Sequence, residues 1–350
     1  MSMSGEKKIG VLVVDDSAFM RILISDMLCS DEEVEVVGVA RDGEDALEKL
    51  EELSPDVITM DVEMPRLDGI SALKEIMRQK PTPVIMLSAH TQEGARTTLE
   101  ALESGAFDFV PKPSGSISLD IEKVRSELLA KIKAAARARG TTLTQGRRVS
   151  KAGSVAGFEP GRRSERVVVI AASTGGPRAL SEVLFALPAS LPAGVLVVQH
   201  MPPFFTRALA ERLNAACELQ VKEAENGDEI KDGCVLIAPG DFHMLINDRK
   251  VELNKEPPVN AVRPSADVTM RSAADAYGEN VVGVVLTGMG RDGAAGIIRI
   301  KERGGRTIAC DERTSLIFGM PKAAIETGCV DIVAPLHEIP KGILNALNGG

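Results

Sequence analysis

Over the first 115 residues, short β-branched runs alternate with longer amphipathic stretches, a rhythm that a parallel sheet covered by helices on both faces accommodates. Ile9–Val14, Val34–Val39, Val57–Met60, Val84–Leu87 and Phe107–Val110 read as five strands. Ala18 to Leu28, Gly43 to Leu53 and Gly69 to Gln79 read as helices between them. Leu47, Leu50 and Leu53 recur at the spacing one buried helix face requires. A longer helix, from about Leu119 to Arg139, closes this half.

From Lys131 to Arg166 the composition changes: the window holds ten Lys or Arg against two Glu, around a middle rich in Gly, Ser and Thr. That is the composition of a solvated linker. A second alternating series follows. Its strand candidates are Arg166–Ala171, Val195–Val198, Val235–Ile237, Met244–Ile246, Val251–Leu253, Val281–Leu286, Thr307–Ala309 and Ile332–Ala334. Asn247-Asp248 between two alternating runs predicts a hairpin, and Ser265 is placed to cap a helix running to Tyr277. The expected architecture is α/β throughout. A five-stranded parallel, doubly wound domain spans 1–130, a helix end and basic flexible linker span 131–163, and a mostly parallel domain with an antiparallel hairpin spans 164–350.

Composition narrows the function classes. A net charge of -9 and only 3% aromatic residues, with no Trp and Tyr277 alone among tyrosines, disfavour nucleic acid, which needs clustered cations or exposed stacking faces. The longest apolar runs, such as Val167 to Ala172, fall far short of the ~20 residues that cross a bilayer. Lys7 and Lys8 precede an apolar run, but it stops at Asp15-Asp16, as a strand does and a secretory signal does not. Cys29, Cys217, Cys234, Cys310 and Cys329 are odd in number and contain no CxxC pair, so neither a disulfide framework nor a zinc knuckle is indicated. A cytoplasmic protein that is not membrane-embedded is expected.

In an open parallel sheet, functional groups gather beyond the carboxyl ends of the strands. Asp15 and Asp16 end the first strand, Asp61 the third and Ser88 the fourth, while Lys112 follows the fifth. Three carboxylates at one edge repel, and a hard cation such as Mg2+ relieves that repulsion. A carboxylate beside Mg2+ and an ammonium is equipped to accept a phosphoryl group. Asp residues also favour strand-to-loop turns for their own sake, which accounts for one or two of these positions but not for all five.

The second domain offers its own constellation. After the strand VVVIA comes Ala172-Ser-Thr-Gly-Gly-Pro177, a tight turn that either cradles a phosphate or presents Ser173 as a nucleophile. It lacks the first glycine of GxSxG. His200 ends the next strand candidate and so reaches the same sheet edge. Gly288, Gly290 and Gly293 form GxGxxG after a strand, with Asp311 beyond the next one, which is also the pattern of a dinucleotide site. Arg291-Asp292 within that loop argues the other way, since an aspartate beside a pyrophosphate repels it whereas one beside His200 orients an imidazole. The separation of Ser173 Oγ from His200 Nε2 is the distance that decides.

VVDDS, TMDVEMPRLDG, MLSA and FVPKP closely resemble response-regulator receiver domains over residues 8 to 130. The resemblance implies that Asp61 accepts the phosphoryl group and that Asp15, Asp16, Asp61 and the backbone of Glu63 hold Mg2+. It further implies that Ser88 and Lys112 contact the phosphoryl group, with Phe109 as the switch aromatic. AASTGGP, QHMPPFFTRALAERL, LIAPGDFHM and LTGMGRDGAAG resemble the chemotaxis protein-glutamate methylesterases, the CheB family, over residues 164 to 347. That resemblance implies Ser173 as nucleophile, His200 as base, Asp292 as its partner, and the Met289 and Thr174 backbones as oxyanion donors. It implies a methylesterase and glutaminase acting on methyl-accepting chemotaxis receptors, a chemotaxis histidine kinase as phosphodonor, and no cofactor for ester hydrolysis. Phosphorylation is then expected to draw Ser88 and Phe109 inward and to relieve an occlusion of Ser173.

Overall fold

The first strand, β1 (Ile9–Val14), is buried along almost its whole length because its apolar run faces helices on both sides. It lies between β2 and β3 in a five-stranded parallel sheet of order β2-β1-β3-β4-β5, with β2 at Val34–Ala40, β3 at Val57–Asp61, β4 at Val84–Ser88 and β5 at Asp108–Pro111. Helices α1 (Ala18–Cys29), α2 (Gly43–Leu53), α3 (Gly69–Gln79) and α4 (Gln92–Glu103) connect the strands, and α5 (Leu119–Ala138) follows the last. The computed structural model describes residues 7–112, 119–138 and 161–348, and the chain forms two units, Met1–Leu143 and Thr144–Gly350.

Each of the first four helices starts on a side chain from its own N-cap. Ser17 accepts from Met20 N–H, Asp42 from Glu44 and Asp45 N–H, Asp68 from Ser71 N–H, and Thr91 from Gly94 N–H. Only Leu50 of the expected leucine stripe is fully buried, with Leu47 and Leu53 half-buried, because Ala46 and Gly43 bring α2 closest to its neighbours. Phe107 falls just before β5 rather than in it.

The second unit is built on a seven-stranded sheet of order β14-β13-β12-β6-β7-β9-β8, parallel throughout. Its strands are β6 (Val167–Ala172), β7 (Gly194–Gln199), β8 (Gln220–Glu223), β9 (Cys234–Ile237), β12 (Val281–Val285), β13 (Arg306–Cys310) and β14 (Ile332–Ala334). Between β9 and β12 the chain makes a separate antiparallel hairpin, β10 (His243–Asn247) and β11 (Lys250–Asn254). The hairpin forms at the expected place, with Asp248 and Arg249 as the two turn residues at φ 47 and 57°, one position later than Asn247-Asp248 suggests. The polar edge strand β8 has no counterpart in the hydrophobic pattern, since only Val221 of its four residues is buried.

Helices α6 (Gly176–Phe185), α7 (Phe205–Ala216), α8 (Ala266–Tyr277), α9 (Ala294–Glu302), α10 (Met320–Glu326) and α11 (Ile339–Leu347) complete this unit. None of these six takes a hydrogen bond from its own N-cap side chain. The strand order departs in both directions from β6, making the ends of β6, β7 and β12 a switch point where a crevice opens.

Candidate active site

At the carboxyl edge of the first sheet, Asp15, Asp16 and Asp61 each offer a carboxylate oxygen within 4.8 Å of the others. Lys112 joins them, its Nζ 2.9 Å from Asp15 Oδ2 and 2.6 Å from Asp61 Oδ2. Burial raises the Asp61 pKa, against the pull of Lys112 and of the Glu63 backbone N–H that donates to it. Burial opposes the Lys112 charge too, but its two carboxylate partners outweigh that and raise its pKa. Three hard oxygen donors close together suit a divalent ion of the Mg2+ kind.

Ser88 and Phe109, expected as switch residues, sit in different surroundings. Ser88 Oγ lies 3.1 Å from Gly94 O and 2.6 Å from Thr98 Oγ1, tied to α4 rather than to Asp61. Phe109, by contrast, is only 4% exposed. The half-buried Lys131 packs against it: Nζ donates to Phe109 O at 2.6 Å, sits 5.2 Å from the ring centroid, and pairs with Asp108 at 3.2 Å and Glu127 at 2.8 Å. Phe109 is thus buried in this structure, while Ser88 is bonded to α4 and not to Asp61.

In the second unit, Ser173 follows β6 directly. Its backbone N–H donates to Thr287 O at 3.0 Å, and His200 N–H donates to Ala172 O at 3.0 Å, so the ends of β12, β6 and β7 are laced side by side. Gly288 abuts the serine: a Cβ there would stand 2.7 Å from Ser173 Cβ, which no side chain tolerates. Buried Gln199 fixes the turn from below, its Nε2 donating to Ser173 O at 2.9 Å.

His200 Nε2 lies 2.8 Å from Asp292 Oδ2. Asp292 is 2% exposed. Burial pushes its pKa up, but hydrogen bonds from His200, Ser265 Oγ and the Ala266 N–H outweigh it and bring it to about 2. With Asp292 ionised, Nε2 carries the proton and donates, which leaves Nδ1 as the basic nitrogen. This reverses the expected geometry, in which Nε2 faces Ser173. Asp292 is pinned at the start of α8 and engages the ring nitrogen that points at it. Among the described residues no hydrogen bond joins Ser173 Oγ to His200.

Ser265 stands at the α8 N-cap as expected, yet its hydroxyl donates to Asp292 Oδ1 at 2.7 Å instead of capping its own helix. Asp292 does the capping, accepting from Ala266 N at 2.6 Å and Asp267 N at 3.2 Å. Asp267 returns the arrangement, its Oδ1 accepting from Gly293 N at 2.9 Å and Gly296 N at 2.7 Å at the start of α9. Where a dinucleotide phosphate would need the bare N-terminus of α9, a protein carboxylate is already seated. Asp311 likewise spends Oδ1 on Thr314 N–H and Oγ1 in a local turn. The GxGxxG reading therefore loses both its phosphate site and its ribose acid. Among the described residues, the N–H groups of Thr174 and Met289 have no acceptor within the protein.

The sequence model of the CheB methylesterase family matches residues 168–343, and that of the response regulator receiver domain matches residues 11–122. A protein-glutamate methylesterase/protein-glutamine glutaminase from Pyrococcus abyssi (strain GE5 / Orsay) is 53% identical, over 97% of this chain and 94% of its own length. One of the same name from Thermotoga maritima is 48% identical, over 97% of this chain and 98% of its own. The crystal structure of the Thermotoga maritima CheB methylesterase catalytic domain superposes with a TM-score of 0.50 at 48% identity, covering 51% of this chain and 97% of that one.

Proposed function

The chain belongs to the CheB methylesterase family, with a receiver domain ahead of its catalytic domain, and from that premise we propose that it demethylates glutamate methyl esters of chemotaxis receptors and deamidates receptor glutamines, under the control of Asp61 phosphorylation. The observation that carries the chemistry is the 2.8 Å pair between His200 and Asp292, on the sheet edge where Ser173 follows β6.

In this reading Ser173 Oγ attacks the γ-carbonyl carbon while its proton passes to His200 Nδ1, the nitrogen not engaged by Asp292. The developing oxyanion is held by the Thr174 and Met289 N–H groups, which have no protein acceptor of their own. Collapse breaks the bond to the methoxy oxygen, His200 returns the proton, and methanol leaves. Water, deprotonated by the same imidazole, then cleaves the acyl-serine to the free carboxylate. Asp292 stays ionised throughout and steadies the imidazolium. A glutamine side chain follows the same course with ammonia leaving, and the ester is the faster substrate because methoxide departs more readily than an amide nitrogen.

At the receiver, Asp15, Asp16, Asp61 and the Glu63 backbone would hold Mg2+, which neutralises charge on the phosphoryl group of the donor, a chemotaxis histidine kinase. Lys112 pairs with the new phosphoryl oxygens, and Ser88 leaves Gly94 and Thr98 to reach them. No helix among the described residues is long and apolar enough to cross a membrane, and in this reading the enzyme is cytoplasmic and meets receptors at their cytoplasmic segments. The test is methanol release from methylated receptor membranes by the purified chain. Release that rises with a small phosphodonor and Mg2+ is expected; none under either condition overturns the reading.

A further inference from the structure

Two carboxylates are buried side by side beneath the site, Asp292 at 2% exposure and Asp267 at 4%. Like charges in a low-dielectric pocket disfavour one another unless donors satisfy both. Most of the donors are backbone N–H groups of α8 and α9, which serve one carboxylate each. Asn260 differs. Its Nδ2 donates to Asp292 Oδ1 at 3.0 Å and to Asp267 Oδ2 at 2.8 Å, spending both amide hydrogens. Among the described residues it is the one side chain that bonds both carboxylates, and the one donor to Asp267 Oδ2.

The chain delivers that amide at a backbone cost. Val259 and Val262 exchange hydrogen bonds of 3.2 and 3.0 Å, closing a two-residue turn with Asn260 at φ 54° and Ala261 at φ 64°. Asn tolerates this left-handed conformation, whereas Ala does so at roughly 1 kcal/mol or more. Asn260 is also exposed as a residue, so its amide is not there to fill a core. An exposed residue held in a strained turn, with its amide committed to two buried anions, has the marks of a functional constraint.

We propose that Asn260 is a positioning residue for the hydrolysis, clamping the Asp292 carboxylate so that Oδ2 stays on His200 and bridging it to the neighbouring charge of Asp267. The proposal rests on the assignment of Asp292 as the partner of His200. It acts through Asp292 and not through contact with substrate, so its loss should lower kcat and leave KM alone.

The test uses the full chain and methanol release from methylated receptor membranes. Asn260→Gly removes the amide while keeping a residue at ease with positive φ, and should lower kcat roughly tenfold at unchanged KM, the worth of one hydrogen bond to a charged group. Asn260→Asp keeps the shape and the turn but sets a third carboxylate against the other two, and should cost more, on the order of a hundredfold. A residue that merely fills space would show the reverse order. In an Asp292→Asn background, Asn260→Gly should have no further effect. Wild-type kcat for Asn260→Gly, a milder loss for Asn260→Asp than for Asn260→Gly, or losses that multiply with Asp292→Asn would each overturn the proposal. Should Asn260→Asp fail to fold by circular dichroism, Asn260→Gly and its cycle decide alone. Full activity in Asp292→Asn by itself would instead overturn the assignment of Asp292, leaving the two failures distinguishable.

Discussion

The two domains start their helices differently. In the receiver, α1 to α4 each begin on a side chain two or three positions from the N–H it satisfies. In the catalytic domain no α-helix does, and the starts of α8 and α9 are satisfied by carboxylates 25 to 29 positions away. Local caps let a receiver helix start without help from distant segments, and none of the capping side chains is Asp15, Asp16 or Asp61. Reciprocal caps make Asp292 part of the framework. Asp292 is buried, against that burial its pKa is held low by His200 first and then by Ser265 and the Ala266 N–H, and the α8 N-terminus fixes where it meets His200.

The largest expected effect separates chemistry from framework. Ser173→Ala removes a hydroxyl with no protein hydrogen bond among the described residues, so methanol release should fall by as much as ~10⁶-fold at unchanged thermal stability. More than a tenth of the activity retained would remove Ser173 from the mechanism. Asp292→Asn should lose activity by ~10⁴-fold and, unlike Ser173→Ala, should also lower the melting temperature, because the charge at the start of α8 goes with it. Loss of activity without loss of stability would show that the reciprocal caps are ornamental. The same carboxylate sets an acid dependence. Its pKa is depressed from 3.8 to about 2, so its stabilising contribution is present above the higher value and is lost as pH falls through the lower. Asp292→Asn should flatten that part of the stability profile measured by denaturant unfolding.

Smaller effects probe the receiver. A phosphodonor with Mg2+ should raise the activity of the full chain about tenfold, which needs only ~1.4 kcal/mol of bias. Asp61→Asn should not respond, and a 164–350 fragment should be active without the donor. Equal activity in all three would detach the receiver from the chemistry. Smallest of all, Thr91→Ala removes the local cap on Gly94 N–H and should cost about 1 kcal/mol of receiver stability with basal hydrolysis unchanged. A loss of hydrolysis there would mean that the two domains share more of their framework than their helix starts suggest.

The same contrast decides what could be read in advance. Strand ends announce Asp15, Asp61, Ser88 and Lys112 because the continuous apolar runs stop at or just before them, and the receiver caps are written within three residues of their partners. The ends of β6 and β7 likewise announce Ser173 and His200. Ser265 was legible as a helix start but not in its bonding, since its true partner lies 27 positions on. Gln199, Asn260 and Asp267 carry no local signal. Gln199 sits at the end of an apolar run, and the amide of Asn260 acquires its meaning only when α8 and α9 lie together. The GxGxxG pattern was a real glycine loop whose helix N-terminus was already claimed from elsewhere in the chain.

The mutual seating of Asp267 and Asp292 has a consequence for the order in which a working hydrolase comes into being. Asp292 is seated only when it packs on α8, and Asp267 only when α9, made after most of the catalytic sheet, has followed. On the proposed roles of Ser173, His200 and Asp292, a chain whose α8 has opened locally carries the serine and the histidine but no oriented imidazole. Hydrolytic competence would then be a readout of completed assembly.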